Sequence, residues 1–464
     1  MKQDQNAQIK AMIDKAFAQK AAPACKSLHY RWGMFISAVG ILLLPLLYCL
    51  LIGAIVYGMV EYNQWVHDFF QSRAPLDLRN WQPGQEPQRV NLDNEIWVAD
   101  HRYLFLYIPL VITATIVVFL LRPFLPRFRH RQAPLYEITS QSEPTVYHLI
   151  ERISMFLGVS VPRHIELTIE PKVTAAYRWG IFSLLGGGLT LRIGLPVISG
   201  LTVSQLVGLL THELGHFRQG VGMRLSYLMS CVLDWFSRNI YDEKLDEDMD
   251  MDAGESFYGR ISRRQRYVVF MILISLFVLL TRGVLWLFLA AGSLIGRSLT
   301  RQMEYDADLG QIQAAGSHDF ESVIYVLHTL DMAYREAFRT NEKSRDSGVV
   351  VNDLPALIKN LAADRLNKFK KEIVEVLLEA ETESLDAYPC PRDRIAQARR
   401  ENLAGMCRID VKSKMLFKDY PLLCRQLTGE FFEREFKPSR VEIRSLSVEG
   451  FEEYMLDTKL RRRR

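Results

Sequence analysis

Two runs without a charged side chain, residues 33–60 and 103–121, constrain this chain more than any other feature. A helix needs about 20 residues to cross roughly 30 Å of hydrocarbon, and both runs reach that length or come close to it. A buried helix of a soluble domain is rarely so long and so free of charge, so both read as membrane spans. A cleaved signal peptide fits poorly, because the first run follows a polar tail and has no small-residue cleavage site behind it. Pro45 and Pro109 fall inside the runs, where membrane helices tolerate them better than soluble ones do.

Lys and Arg in the flanks give the orientation. Lys2, Lys10, Lys15, Lys20, Lys26 and Arg31 precede the first run, and Arg122, Arg127, Arg129 and Arg131 follow the second. The intervening loop, 61–102, is sparser in basic residues, so both ends of the hairpin read as cytoplasmic, and the rest of the chain with them. The six cysteines form no C-x-x-C pair and one lies within a span. They suit a reducing compartment rather than a disulfide framework or a cysteine metal site. A net charge of +4 is too small to point to nucleic acid, and the run Arg461 to Arg464 reads as a solvated tail.

Beyond the hairpin the pattern changes. Val146, Ile150, Ile153 and Leu157 form one helical stripe, whereas residues 164–170 alternate strictly between apolar and polar, as a half-buried strand does. Weaker strand candidates at 173–178 and 189–193 flank Gly186, Gly187 and Gly188, and a small antiparallel sheet is the expected product. Thr202-Val203-Ser204-Gln205 is a capping-box sequence, and the helix it opens runs through LVGLLTHELGHFRQ to a stop at Gly220. Residues 297–385 read as mostly helical, and VEIRSLSVEG is a late strand candidate.

The helix after that cap carries His212-Glu213-Leu214-Gly215-His216, an H-E-x-x-H motif. Positions i and i+4 share one helix face, so both imidazoles can point at one ion. A catalytic zinc takes three protein ligands and leaves a fourth position for water, which Glu213 reaches as general base. A histidine pair around a glutamate on an apolar helix face is costly without a partner. Glu304, in the sequence Arg301 to Asp308, can complete a His, His, Glu set. Asp308, one turn later, is placed to accept a hydrogen bond from a ligand histidine. Alone, this segment would read as a solvated acidic face.

H-E-x-x-H followed by hydrophobic segments and E-x-x-x-D in an R-Q-M-E-Y-D-A-D context resembles the HtpX and CaaX prenyl protease family of membrane zinc endopeptidases, over roughly residues 100–400. The resemblance implies a zincin-like catalytic domain holding one zinc ion, with a polypeptide substrate, in the inner membrane of a bacterium. It also implies a substrate-binding edge strand, with Thr174 and Ala175 where the family has asparagine and alanine. The family's histidine-proline pair and later arginine fall on Tyr388, Pro389 and Arg394. A Tyr388 hydroxyl can donate to an oxyanion, and Arg394 can add charge or orient a ligand carboxylate.

Both ligand segments must meet on one side of the membrane, so the chain between them crosses an even number of times. Segments 223–236 and 267–296 are apolar but carry Arg224, Asp234 and Arg282, and six basic residues lie between them. These features favour interfacial or re-entrant helices over spans. The expected class is α+β, mainly helical. Residues 1–32 form a cytoplasmic tail and 33–121 a transmembrane hairpin with an extracytoplasmic loop at 61–102. Residues 122–400 form the peptidase domain and 401–464 a C-terminal extension. The leading function is a membrane-bound zinc endopeptidase acting on unfolded or membrane-associated polypeptides at the cytoplasmic face. The alternatives are a silent scaffold that retains the fold and a processing protease of narrow range. An intramembrane protease fits less well, because Glu304 sits in a charged segment.

Overall fold

A computed structural model describes residues 2–18, 28–72, 99–121, 136–177, 188–240, 261–345, 347–383, 386–435 and 443–461. The basic flank at 122–131, Gly186 and Gly187, the acidic stretch at 242–255, most of the loop at 61–102 and the last three arginines lie outside the described residues. The chain is mainly helical with a small mixed sheet, and it divides into two units. The first gathers Met1–Met34, His130–Ser226 and Arg297–Arg464; the second gathers Phe35–Arg129 and Tyr227–Gly296.

In the first unit, helix α1 (Lys2–Ala16) is no free tail. Ile9 and Ile13, with Phe17 just past its end, recur every four residues and are buried in the main core. Asp14 forms an ion pair with Arg152, Oδ1 lying 2.8 Å from Nε, and Phe17 meets Phe156 edge-on with ring centroids 5.3 Å apart. Both partners belong to helix α4 (Pro144–Leu157), whose apolar stripe is buried as its spacing predicts and which ends on Gly158 in the left-handed region.

The sheet departs from the antiparallel expectation. Its strands, β1 (Tyr136–Ile138), β2 (His164–Thr168), β3 (Val173–Tyr177) and β4 (Leu189–Gly194), stand in the order β1-β2-β4-β3. Strand β4 pairs parallel with β2 and antiparallel with β3, so the sheet is mixed. Alternation in a sequence fixes which face a side chain takes, not which strand lies beside it. Strand β4 takes the central place through Leu189, Leu191 and Ile193, all buried. The link from β2 to β3 closes over the end of β4 at Gly194, where a Cβ would collide with the Glu170 carbonyl oxygen. Strand β3 is left at the edge.

Helix α5 (Leu195–Gly200) leads into α6 (Val203–Arg218), which opens with the anticipated capping box. Gln205 N donates to Thr202 Oγ1 at 3.3 Å, and Thr202 N donates to Gln205 Oε1 at 3.1 Å. The same helix start is clamped by the C-terminal region. Val203 N donates to the Val411 carbonyl at 2.7 Å, and Ser413 N donates to the Leu201 carbonyl at 3.1 Å. Cys407, Leu416, Phe417 and Leu427 are buried in the main core, so residues beyond 400 are integral to this unit. The late strand candidate shortens to Arg444–Leu446, which pairs parallel with Val349–Val351.

The second unit contains most of helix α2 (Leu28–Ser72), α3 (Ala99–Leu121), α7 (Val221–Ile240) and the first part of α8 (Ile261–Ala315). Among the described residues two stretches are long and apolar enough to cross a membrane, Tyr30–Phe70 and Val278–Ala315, and Tyr107–Val118 is a shorter apolar helix. The segment expected at the interface, 267–296, therefore lies on a helix of spanning length. Arg282 interrupts its apolar run without interrupting the helix. Tyr48 is fully buried among Trp235, Phe236 and Phe288 at centroid distances of 5.3–5.4 Å, and its hydroxyl donates to the Leu120 carbonyl at 2.7 Å.

Ile13 has no exposed surface, so Ile13→Ala should destabilise the first unit by about 2–4 kcal/mol through the cavity it leaves. Denaturant unfolding of the full chain in detergent checks this. An unchanged midpoint would mean that α1 is not part of the core.

Candidate metal centre

Helix α6 carries the two histidines and Glu213 on a shaft that is buried along most of its length. Helix α8 supplies Glu304 and Asp308, and small residues let the two helices approach. Gly208 faces Ala315 and Gln311, where a Cβ would come within 2.7 Å of the Ala315 side chain. Gly215, inside the motif, faces Ala307 at 3.8 Å. A larger residue at Gly208 would push α8 away, and Glu304 with it, whereas a Cβ at Gly215 would make an ordinary van der Waals contact.

Three donors converge in the gap. His212 Nε2 lies 3.5 Å from Glu304 Oε2, and His216 Nε2 lies 3.5 Å from Glu304 Oε1. The rings are nearly perpendicular, with centroids 4.9 Å apart. One ligand atom from each residue lies within 4.8 Å of the others, so the three can hold a metal ion. Metal–ligand bonds of about 2.0–2.2 Å at a tetrahedral angle separate their donors by roughly 3.3–3.6 Å, which matches both nitrogen–oxygen spacings. The set is two imidazoles and a carboxylate, without a thiolate.

Asp308, one turn beyond Glu304, is almost wholly buried. Its Oδ1 lies 3.0 Å from His212 Nδ1, which turns the other ring nitrogen towards Glu304. Its charge is met from the opposite side by Arg394, on helix α11 (Pro391–Glu401). The guanidinium forms a two-pronged bond, Nε to Oδ2 at 2.8 Å and Nη2 to Oδ1 at 2.5 Å. It also lies over the Phe320 ring, 5.7 Å from the centroid. The structure thus places Arg394 on Asp308, a carboxylate outside the candidate ligand set.

Glu213 sits beside the edge strand, its Oε2 accepting from Ala175 N at 3.3 Å. In an antiparallel pair, a residue's N–H and C=O point either both towards the partner strand or both away. Since the Ala175 N–H goes to Glu213, its carbonyl also faces the open edge. Thr174 stands opposite Arg192 in the ladder. Tyr388 is 58% exposed in the segment before α11 and is not among the residues that these contacts join.

Burial dominates the electrostatics. It pushes Glu213 up to about 7, against the positive charge of His212 and the Ala175 N–H. It pushes His216 down to about 4, with the charge of His212 acting in the same direction. At His212 burial also disfavours the charged ring, but Asp308 and Glu304 outweigh it and hold the group up at about 10. The metal-free site therefore holds a proton between its carboxylates.

Gln219, the last residue before Gly220, was legible in the sequence only as a helix end. It is buried, and its Nε2 donates to the Met303 carbonyl at 2.7 Å, next to Glu304. Its position three residues after His216 on the same helix is the signal that marks it. Comparisons with protein families, curated proteins and solved structures return no match to this chain.

A metal ion entering this site must displace the His212 proton. Binding should release close to one proton per ion at neutral pH, and affinity should rise by about tenfold per pH unit until His212 titrates near 10. Calorimetry in buffers of different ionisation enthalpy measures this. Affinity independent of pH between 7 and 9 would contradict the arrangement.

Proposed function

We propose that this chain is a membrane-bound zinc metalloendopeptidase, similar to the HtpX and CaaX prenyl proteases, that cuts unfolded or membrane-associated polypeptides at the cytoplasmic face. The observation that carries the reading is the convergence of His212, His216 and Glu304 beside a carboxylate, Glu213, that touches an open sheet edge. Two imidazoles and one carboxylate form the donor set of a hydrolytic zinc site with a free fourth position. A zinc ion bound there would lower the pKa of water to about 7 and polarise the scissile carbonyl.

The chain's own residues supply the rest. Glu213, held near neutrality by burial, takes a proton from the attacking water and delivers it to the leaving amine. The edge of β3 offers its outward-facing Ala175 C=O, and the Ala175 N–H that Glu213 holds in the free protein, to an extended peptide, which adds as a strand. Such pairing requires a substrate backbone free of its own structure, which is why unfolded chains fit. Asp308 and Arg394 keep His212 in its ligating orientation.

Association with a bilayer is supported by the two helices of spanning length. Leu42, Leu46 and Leu50 leave 56–76% of their surface uncovered along one side of α2, a stripe suited to hydrocarbon. The basic residues flanking the hairpin favour the cytoplasmic side for the site.

Zinc-loaded wild type, purified in detergent, should cleave casein, and Glu213→Gln should bind zinc equally but cleave roughly 10²–10⁴-fold more slowly. Equal cleavage by both proteins would remove Glu213 from the mechanism. Ala175→Pro deletes an N–H that points away from β4 and spares the ladder. It should lower kcat/KM by about 5–10-fold, the worth of one hydrogen bond. An unchanged kcat/KM would argue against any role for this N–H, whether it holds Glu213 or a substrate strand.

A further inference from the structure

His212 has Asp308 behind it, and the second histidine needs an equivalent. A metal-bound imidazole almost always donates its free N–H to a carboxylate, a carbonyl or water. His216 directs Nε2 at Glu304, which leaves Nδ1 to be satisfied elsewhere. Gln219 lies three residues on, one helical turn away on the same face. Its side chain is buried, and its orientation is fixed because Nε2 donates to the Met303 carbonyl, an acceptor that admits only the nitrogen end of the amide. Its Oε1 is thereby a buried acceptor without a hydrogen-bond partner.

We propose that Gln219 is the positioning residue for the second histidine. Its Oε1 accepts the Nδ1–H of His216 while its Nε2 anchors the amide to the backbone beside Glu304, so one side chain sets both the ring orientation and the spacing of the ligand helices. This rests on the metal-centre reading above. One further observation agrees with it. Tyr30 donates its hydroxyl to the Gln219 carbonyl at 3.3 Å, pinning the residue at the point where α6 ends.

The test is zinc affinity of the metal-free full chain in detergent, measured by competition with a chromogenic chelator. Gln219→Met keeps the shape but loses both ends of the amide, and should bind zinc about 10–100-fold more weakly. Gln219→Glu keeps an acceptor for His216 and loses the donor that serves the Met303 carbonyl and Asp306, so its affinity should recover most of the loss seen in Gln219→Met. If Gln219→Met does not fold, Gln219→Asn, smaller and still an amide but too short to reach both partners, should show the same loss. Wild-type affinity in Gln219→Met would overturn the proposal. Equal weakness in the Met and Glu variants would also overturn it, since the amide would then be only a tie between helices. The control is His216→Ala. If wild type binds no zinc, or His216→Ala binds it normally, the metal centre itself fails, a result distinct from either outcome at Gln219.

Discussion

The site depends on one buried carboxylate. Asp308 stands between a histidine from one helix and an arginine from another, and almost none of it reaches solvent. A buried charge is tolerated only when it is paired and hydrogen-bonded, and removing one partner is far more damaging than never having built the pair. The bidentate Arg394 bond meets that condition from one side and His212 from the other, so segments some 90 residues apart on either side of Asp308 are joined at one point. Glu304 follows because it lies one turn earlier on the same helix. Gly208 gives α8 the room to come that close.

Electrostatics make the arrangement asymmetric. His212 is gripped by carboxylates on both ring nitrogens, whereas His216 is disfavoured as a cation by burial. The charge that the carboxylates call for is carried by the His212 ring, the place that a bound metal ion would take over. Glu213 stands outside this exchange. Its carboxylate leans on the backbone of the edge strand rather than on a cation, and burial keeps it close to neutrality, which suits a group that must both take and give a proton.

Much of the site was legible because it is local. The capping box and the H-E-x-x-H motif lie on one 16-residue helix and its N-cap, and a helix converts that spacing directly into a shared face. Glu304 and Asp308 were legible for the same reason, one turn apart on a single helix. What the sequence obscured depends on pairing across distance. The strict alternation of β2 gave its faces but not its neighbours, so the insertion of β4 beside it, and hence a mixed sheet, did not follow. The four-residue spacing of Ile9, Ile13 and Phe17 was present but overshadowed by the lysines around it, which pointed to a solvated tail. The clamp of residues 407–413 on the start of α6 leaves no periodic trace at all. Tyr388 was placed by analogy of motif alone.

The account rests on a metal held by two imidazoles and one carboxylate. Zinc-edge X-ray absorption on the full chain, loaded with one equivalent of zinc in detergent, reads that donor set without reference to activity. The proposed site predicts a four-coordinate shell of nitrogen and oxygen at about 2.0–2.2 Å, with the outer-shell scattering that two imidazoles produce. Sulfur at about 2.3 Å, or a shell of light atoms without imidazole scattering, would place the metal elsewhere and contradict the account.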